Sequence, residues 1–265
     1  MCKERINMYE KIQMTLESLE DRHHIKIPYA CEAGSRAWGL ANEKSDYDVR
    51  FLYVYPKVAY LRIDPVGNRE FPEVIEKPIS ESLDIGGWEL TKALRLFRKS
   101  NPSLLEWINS PVVYKNDDFL IKQMKDILPS VFNTKACIMH YTKMAKGNLH
   151  RYQKNLHPKT KDVLNIIKPI VSAKWIDNYQ EFHPVNFSMM VEDFYSGEIK
   201  NTYLQLAKEK KLDLQLTIDT NQLLKHAATE IAALETSAKK LQPEKIEETK
   251  KLDELFRNSL ERTWG

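Results

Sequence analysis

Cysteine is scarce in this chain: three residues, Cys2, Cys31 and Cys137, among 265. They lie far apart with no C-x-x-C pair, which argues against a disulfide framework or a cysteine zinc site and points to a reducing, cytoplasmic compartment. A long hydrophobic run is missing too. No stretch approaches the ~20 apolar residues of a membrane span. Residues 1–25 (MCKERINMYEKIQMTLESLEDRHHI) are charged throughout where a signal peptide has an apolar centre. The expectation is a protein neither secreted nor held in a membrane. Charge of one sign is not in large excess either: 40 Lys+Arg against 37 Asp+Glu leave +3 with His neutral, which excludes a globally basic nucleic-acid coat.

What is present is an ordinary globular composition. Hydrophobic residues make up 42% and charged residues 29%, too apolar for a disordered chain and enough for a sizeable core. The length favours two domains over one, because single cores stop growing near this size.

Ile6, Tyr9, Ile12 and Leu16 fall at helical intervals over residues 4–20, and Ile25 to Cys31 reads as a strand leading into Gly34. Ser45 to Tyr55 (SDYDVRFLYVY) is the strongest strand signal, rich in Val, Phe and Tyr and closed by Pro56. Residues 56–80 hold four prolines and one glycine, which predicts an irregular connection with short strand pieces, a lid or a substrate loop. Strand character returns at Glu81 to Ile85, and Gly86-Gly87 is expected to turn the chain into a helix carrying Leu90, Ala93, Leu94 and Phe97. Asn101 and Pro102 read as the N-cap and first residue of another helix, with Leu104, Leu105 and Ile108. Val112-Val113-Tyr114 is the last expected strand.

Strand signals fade after this point. The pattern predicts an α+β domain over residues 1–115 and an all-helical domain over 116–265. Residues 135–174 carry nine Lys/Arg against one acid, Asp162, a local charge of +8. Lys143, Lys146, Arg151, Lys154, Lys161 and Lys168, interleaved with Tyr141, His150, Tyr152 and His157, are candidates for tracking a nucleic-acid backbone. The alternative is a basic helix face that is simply solvated. Residues 221–265 read as two antiparallel helices broken at Gln242-Pro243.

The chemistry concentrates near residue 46. Asp46 and Asp48 are one residue apart in an expected strand, so both carboxylates project from the same face, with Tyr47 and Val49 turned to the core. Their Cα atoms would lie ~7 Å apart, a pitch at which two carboxylates can bridge two hard cations. A D-x-D pair alone is as well explained by two solvated acids. Twelve residues earlier, however, Gly34-Ser35 stands where a strand ends and a short helical stretch begins. Glycine lets a phosphate approach the backbone, and the serine hydroxyl and the free N–H groups of a first turn favour an anion.

A two-metal site also needs a third carboxylate. Asp84, between Leu83 and Ile85, supplies one. Its rivals are Glu76, Glu81 and Glu89, of which Glu89 also reads as an acid in the first turn of a helix. Arg36 and Arg50 flank the two motifs as candidate phosphate ligands, and Lys92 is a further one. His23-His24 lack partners at a metal-ligand spacing and read as a helix end. Cys31 reads as a small buried residue.

The run from Ala30 to Phe51, ACEAGSRAWGLANEKSDYDVRF, resembles the G-S … D-x-D signature of the DNA polymerase beta-like nucleotidyltransferase superfamily. More narrowly, CEAGSRAWG, SDYDVRF, LDIGGWEL, KALRL, SNPSLLEW and SPVVY resemble the RlaP (YcgL-type) group, the RNA-repair-associated polymerase beta family. The likeness is close over residues 28–115 and looser in the helical remainder, through segments such as KPIVSAKWI.

The resemblance implies a mixed sheet with helices on one side. It also implies that Gly34 and Ser35 hold a triphosphate and that Asp46, Asp48 and Asp84 bind two Mg²⁺ or Mn²⁺ ions. Many relatives carry Asp where this chain has Glu89. The implied reaction is attack of a hydroxyl on the α-phosphorus of a nucleoside triphosphate, with an RNA or DNA end as acceptor. A protein hydroxyl is the variant acceptor. A non-catalytic module that binds nucleotide or RNA is the alternative from another class. Oligomeric state is not set by these features.

Overall fold

The computed structural model describes residues 7–80, 82–242 and 248–265, with backbone alone at 78–80. Helix α1 (Met8–His23) opens the fold; Asn7 caps it in a reciprocal box with Glu10, and His24 closes it in the left-handed conformation at φ 49°. Strand β1 (Lys26–Glu32) and the one-turn helix α2 (Gly34–Ala37) precede β2 (Tyr47–Val54). The proline-rich connection contains a short helix, α3 (Lys57–Tyr60), and a strand, β3 (Val74–Ser80). Next come β4 (Leu83–Glu89), α4 (Leu90–Arg98), α5 (Pro102–Ile108) and β5 (Val113–Asn116). After Asn116 the described elements are all helices: α6 (Asp118–Val131), α7 (Thr134–Gln153), α8 (Thr160–Tyr179), α9 (Phe187–Phe194), α10 (Gly197–Lys211), α11 (Thr220–Lys240) and α12 (Thr249–Trp264). None of the described helices is long and apolar enough to cross a membrane.

The five strands form one mixed sheet in the order β3-β4-β2-β1-β5, in which β2 and β4 run parallel and the other pairs antiparallel. Alternation along β2 divides its side chains. Val49, Phe51 and Tyr53 join Ile12, Leu16 and Leu19 of α1 in one apolar cluster, so a helix covers this face as well. Leu52 and Val54 belong to a larger cluster on the other face, which runs without a break through α4 and α5 into Ile166, Ile170 and Tyr203 of the helical half.

Gly86-Gly87 does not turn the chain; β4 continues through it. A Cβ at Gly87 would stand 2.3 Å from the Phe51 ring, so the strand passes β2 at a distance only glycine allows. The two end helices do not form a hairpin either. The Leu223, Ala227 and Ile231 stripe of α11 packs on α7 and α8, whereas α12 packs on α4 and α6. Lys57–Glu261 and Arg98–Thr249 contacts hold α12 in that place. The expected break at Pro243, like Glu81 and Cys2, lies outside the described residues.

Glu89 is fully buried at the start of α4. Its Oε2 accepts from the N–H of Thr91 (2.8 Å) and Lys92 (3.1 Å) and from the Thr91 hydroxyl, and its Oε1 from the Tyr60 hydroxyl (2.7 Å). Glu89→Ala would strand these donors and is expected to cost about 2–4 kcal/mol. In urea the unfolding midpoint should drop with the slope unchanged; a shift worth less than ~0.5 kcal/mol would show that the cap contributes nothing.

Candidate active site

The parallel pairing of β2 with β4 sets Asp48 directly across from Asp84 and Arg50 across from Gly86. The Arg50 guanidinium lies between the two acids, with Nη2 2.7 Å from Asp84 Oδ2 and 3.9 Å from Asp48 Oδ1. Asp46, just before β2, is exposed. Burial pushes the Asp48 carboxyl above the usual Asp range; Arg50 and Lys161 oppose the shift, while the charges of Asp84 and Asp46 add to it. Glu89, on the opposite alternation of β4, is taken up by its capping bonds.

The Gly34-Ser35 turn is seated on Asp48. The Ala33 N–H donates to the Asp48 carbonyl at 2.7 Å. Gly34 has φ +54°, and a Cβ there would fall 1.8 Å from Asp48 Oδ2. Beneath it, buried Glu32 accepts the Asp48 N–H at 2.8 Å through Oε1 and the Tyr114 hydroxyl through Oε2. Glu32 therefore fixes the backbone that carries the catalytic candidates. The sequence signal for it was its place in CEAGS, with nothing to separate it from a solvated acid. Arg36 donates to the carbonyls of Ser45 (2.7 Å) and Asp46 (3.2 Å), and its guanidinium lies 3.7 Å over the Tyr47 ring. It braces the loop before β2 and does not reach toward the turn.

A cleft of about 420 Å³ separates this edge from the helical half. Gly34, Ser35, Asp46 and Asp48 form one wall, and Lys161 and Lys168 of α8 with Lys210 of α10 form the other. Lys168 lies 4.5 Å over the Trp38 ring. Burial lowers its pKa, and the negative charges of Glu106 and Asp48 pull it back. Lys210 is also lowered, by burial and then by the neighbouring Lys161 ammonium, with Asp213 opposing. Three crowded cations facing crowded carboxylates make a cleft that favours a polyanion carrying its own divalent cations. Lys210 was missed in the sequence, as it comes from a distant helix with an unremarkable pattern. Asn42 links the two walls, its side-chain amide donating to the Lys210 carbonyl at 3.0 Å.

Asp84 and Arg50 open instead onto a second cleft, of about 560 Å³, with Glu76, Lys77, Gly86, Trp88 and Trp107. The Trp88 and Trp107 rings lie 4.0 Å apart between centroids. Lys92 lines neither cleft; it stands 3.5 Å from Glu73, which also binds Arg95. The basic stretch is divided. Lys161 and Lys168 enter the first cleft, whereas Lys146 pairs with Glu235 at 2.9 Å, Arg151 donates to the Asn148 side chain, and Lys143 and Lys154 are exposed on α7 and at its end.

As they stand, no three described His, Cys, Asp or Glu side chains cluster closely enough to hold a metal ion. The donor chemistry of Asp46, Asp48 and Asp84 nevertheless fits Mg²⁺ or Mn²⁺. All three are hard oxygen donors at one edge, and their mutual repulsion, visible at Asp48, is what a cation relieves.

A mixed sheet with a glycine-serine turn seated on an aspartate pair, closed over by helices, is a nucleotidyltransferase-type α+β fold. The chain belongs to the RlaP family, the RNA repair pathway DNA polymerase beta family, which it matches over residues 8–258. It is 36% identical over 262 residues to protein YcgL of Bacillus subtilis (strain 168), covering 97% of this chain and 98% of that one. Looser likenesses exist among solved structures. The spectinomycin adenyltransferase AAD(9) from Enterococcus faecialis, solved with ATP and spectinomycin, aligns with a TM-score of 0.41 and 13% identity, over 88% of this chain and 100% of the other. A nucleotidyltransferase-like protein from Exiguobacterium sibiricum 255-15 aligns with a TM-score of 0.31 and 10% identity, over 95% of this chain and 80% of the other.

Proposed function

We propose that this protein transfers a nucleoside monophosphate from a nucleoside triphosphate to a hydroxyl at the end of an RNA or DNA strand. The observation that carries this reading is the opposed lining of the first cleft, acids and a glycine-serine turn on one wall and three lysines on the other. In this reading Gly34 and Ser35 receive the phosphates at the turn's free N–H groups and hydroxyl. Lys161, Lys168 and Lys210 neutralise the triphosphate from the far wall. Asp46, Asp48 and Asp84 would hold the divalent ions, which when bound offset charge on the attacking and leaving oxygens.

The acceptor enters from the side of the second cleft. Its hydroxyl oxygen forms a bond to the α-phosphorus, the bond from that phosphorus to the bridging oxygen breaks, pyrophosphate leaves, and the hydroxyl proton passes to the Asp84 carboxylate. Arg50 holds Asp84 in place until then. The Trp88 and Trp107 rings suit a base at the strand end. Gly86, on the same alternation of β4 as Asp84 and Trp88, lines the cleft between them.

The test is incubation of purified protein with each α-labelled nucleoside triphosphate, Mg²⁺ or Mn²⁺, and separate pools of RNA, DNA and cell-lysate protein, with the Asp46/Asp48 double alanine variant as blank. Label in RNA or DNA, absent from the blank, is the expected result. Label in protein alone would replace the acceptor with a protein hydroxyl. Tight nucleotide binding with no label anywhere would make the chain a binding module.

A further inference from the structure

The Arg50 guanidinium is itself a cation held between two of the acids. Its Nη2 bonds Asp84 Oδ2 at 2.7 Å and lies 3.9 Å from Asp48 Oδ1, where the parallel register sets the two aspartates directly opposite each other. Among the described residues Arg50 is the only hydrogen-bond donor to the Asp84 carboxylate. Its Nη1 donates to the Val49 carbonyl at 2.9 Å and to the Asp84 carbonyl at 3.4 Å. The acids are also divided between two spaces: Asp46 and Asp48 line the first cleft, whereas Asp84 lines the second together with Arg50. The side chains of Arg50, Asp48 and Asp84 keep 23%, 28% and 31% of their surface open to solvent, so ions and anionic groups can reach them.

Two carboxylates facing each other across a sheet repel, and here the chain relieves the repulsion with a single charge of its own. A guanidinium and a divalent ion compete for Asp84, because the fork donates to the lone pairs that a hard cation would take and the two cations repel each other. A divalent ion binds Asp84 only by displacing the 2.7 Å bond, unless Arg50 is drawn elsewhere. Its planar fork fits a phosphodiester as well as a carboxylate. The second cleft, where it already stands, also holds Lys77 and the paired Trp88 and Trp107 rings.

We propose that Arg50 is a positioning residue that withholds Asp84 from a divalent ion while the second cleft is empty, and passes to a phosphodiester of the acceptor strand when that cleft fills. The inference rests on the transfer reading above. Nucleotide and the ions at Asp46 and Asp48 then assemble in the first cleft with the set of acids still incomplete. Asp84 joins them once an acceptor has taken the guanidinium, so the site is completed only when there is a strand to receive the nucleotide. Ion and strand are coupled through one side chain, and each strengthens the binding of the other by the same factor.

The full chain is titrated with Mn²⁺ in the absence of nucleotide, and the free ion is read from its electron paramagnetic resonance, so no step of catalysis enters the measurement. Arg50→Gln should bind Mn²⁺ at least ~10-fold more tightly than the wild type, and adding Asp84→Asn should abolish the gain. Lys77→Gln, which removes a positive charge from the same cleft, should gain ~2-fold at most. A short single-stranded RNA or DNA, corrected for the ions it binds alone, should tighten Mn²⁺ binding in the wild type and leave Arg50→Gln unchanged; the strand with the larger effect identifies the acceptor. This arm uses the wild type alone and decides the matter even where Arg50→Gln fails to fold. Equal Mn²⁺ affinity in wild type and Arg50→Gln, with binding still lost in the Asp46/Asp48 double alanine variant, overturns the exchange and leaves the transfer reading standing. A gain that survives Asp84→Asn overturns it as well, as a general effect of charge, and so does a wild type that neither strand affects. Mn²⁺ binding indifferent to Asp46, Asp48 and Asp84 alike overturns the two readings together.

Discussion

Asp48→Asn is expected to lower nucleotide transfer by at least ~10³-fold, about 4 kcal/mol of transition-state stabilisation, without lowering the stability of the fold. The two halves of that expectation have one cause. Asp48 faces Asp84 across the parallel strands, and its carboxyl is pushed up, by burial first and then, against Arg50, by the neighbouring acids. An acid whose folded pKa exceeds its unfolded one takes up protons on folding. Its contribution to stability is therefore present at low pH and falls as pH rises from the unfolded value through the folded one. At neutral pH the charged Asp48 works against the folded state, and the neutral amide removes that opposition while discarding the proposed metal ligand. Thermal melts across pH 4 to 8 beside single-turnover transfer read both effects, with the Asn variant losing pH dependence over the lower part of that range. Transfer at the wild-type rate, or a collapse of the fold, would each remove Asp48 from the role given to it here. Asp46→Asn should match it in transfer; being exposed, Asp46 should leave the melts nearly unmoved.

Gly34→Ala is expected to be nearly as severe for transfer, through geometry and not charge. The left-handed φ of +54° costs any side chain ~1 kcal/mol, and here the new Cβ would also sit 1.8 Å from Asp48 Oδ2. Either the turn lifts off the carboxylate or the carboxylate rotates away, and both destroy the placement of phosphate against acid, for a loss of ~10²-fold or more. Gly39→Ala is the matched control. Its φ is +67°, yet nothing lies within 4 Å of the added atom, so it should carry the backbone cost alone. Parallel urea melts and transfer rates separate the two. A Gly34→Ala enzyme no slower than Gly39→Ala would mean that the close approach of turn to carboxylate is incidental.

How much of this was legible in advance follows from the range of each interaction. The strand character of SDYDVRFLYVY depends on neighbours two residues apart, and the structure keeps it over Tyr47–Val54, with Asp46 left just before the strand that was expected to carry it. The Asn101 cap and Pro102 start of α5 are equally local. The pairing of Asp48 with Asp84 depends on a parallel register between strands 36 residues apart, which alternation narrows to a face without fixing the partner. Gly86-Gly87 misled because a glycine pair signals a turn locally, whereas here the nearby Phe51 ring demands it within a strand. Arg36 and Lys92 had the right chemistry for phosphate but are committed to the Ser45 and Asp46 carbonyls and to Glu73. The basic stretch could be counted but not aimed; only folding α7 and α8 against each other shows which lysines meet the acids.

The apolar cluster that runs from the sheet into the helical half has a consequence for motion. The acidic wall and the lysine wall of the cleft stand on opposite sides of that shared interior. Two bodies joined by a thin linker can swing apart to admit substrate and swing shut for chemistry. These two cannot separate without exposing Leu52, Ile166 and their neighbours to water, so hinge opening is opposed by the same burial that stabilises the fold. Gating then falls to parts outside the packed interior: the long lysine stems and the Asn42 to Ser45 loop, whose movements need no rupture of the core. The cleft is accordingly pre-set, and what enters it does so by local breathing of its rim.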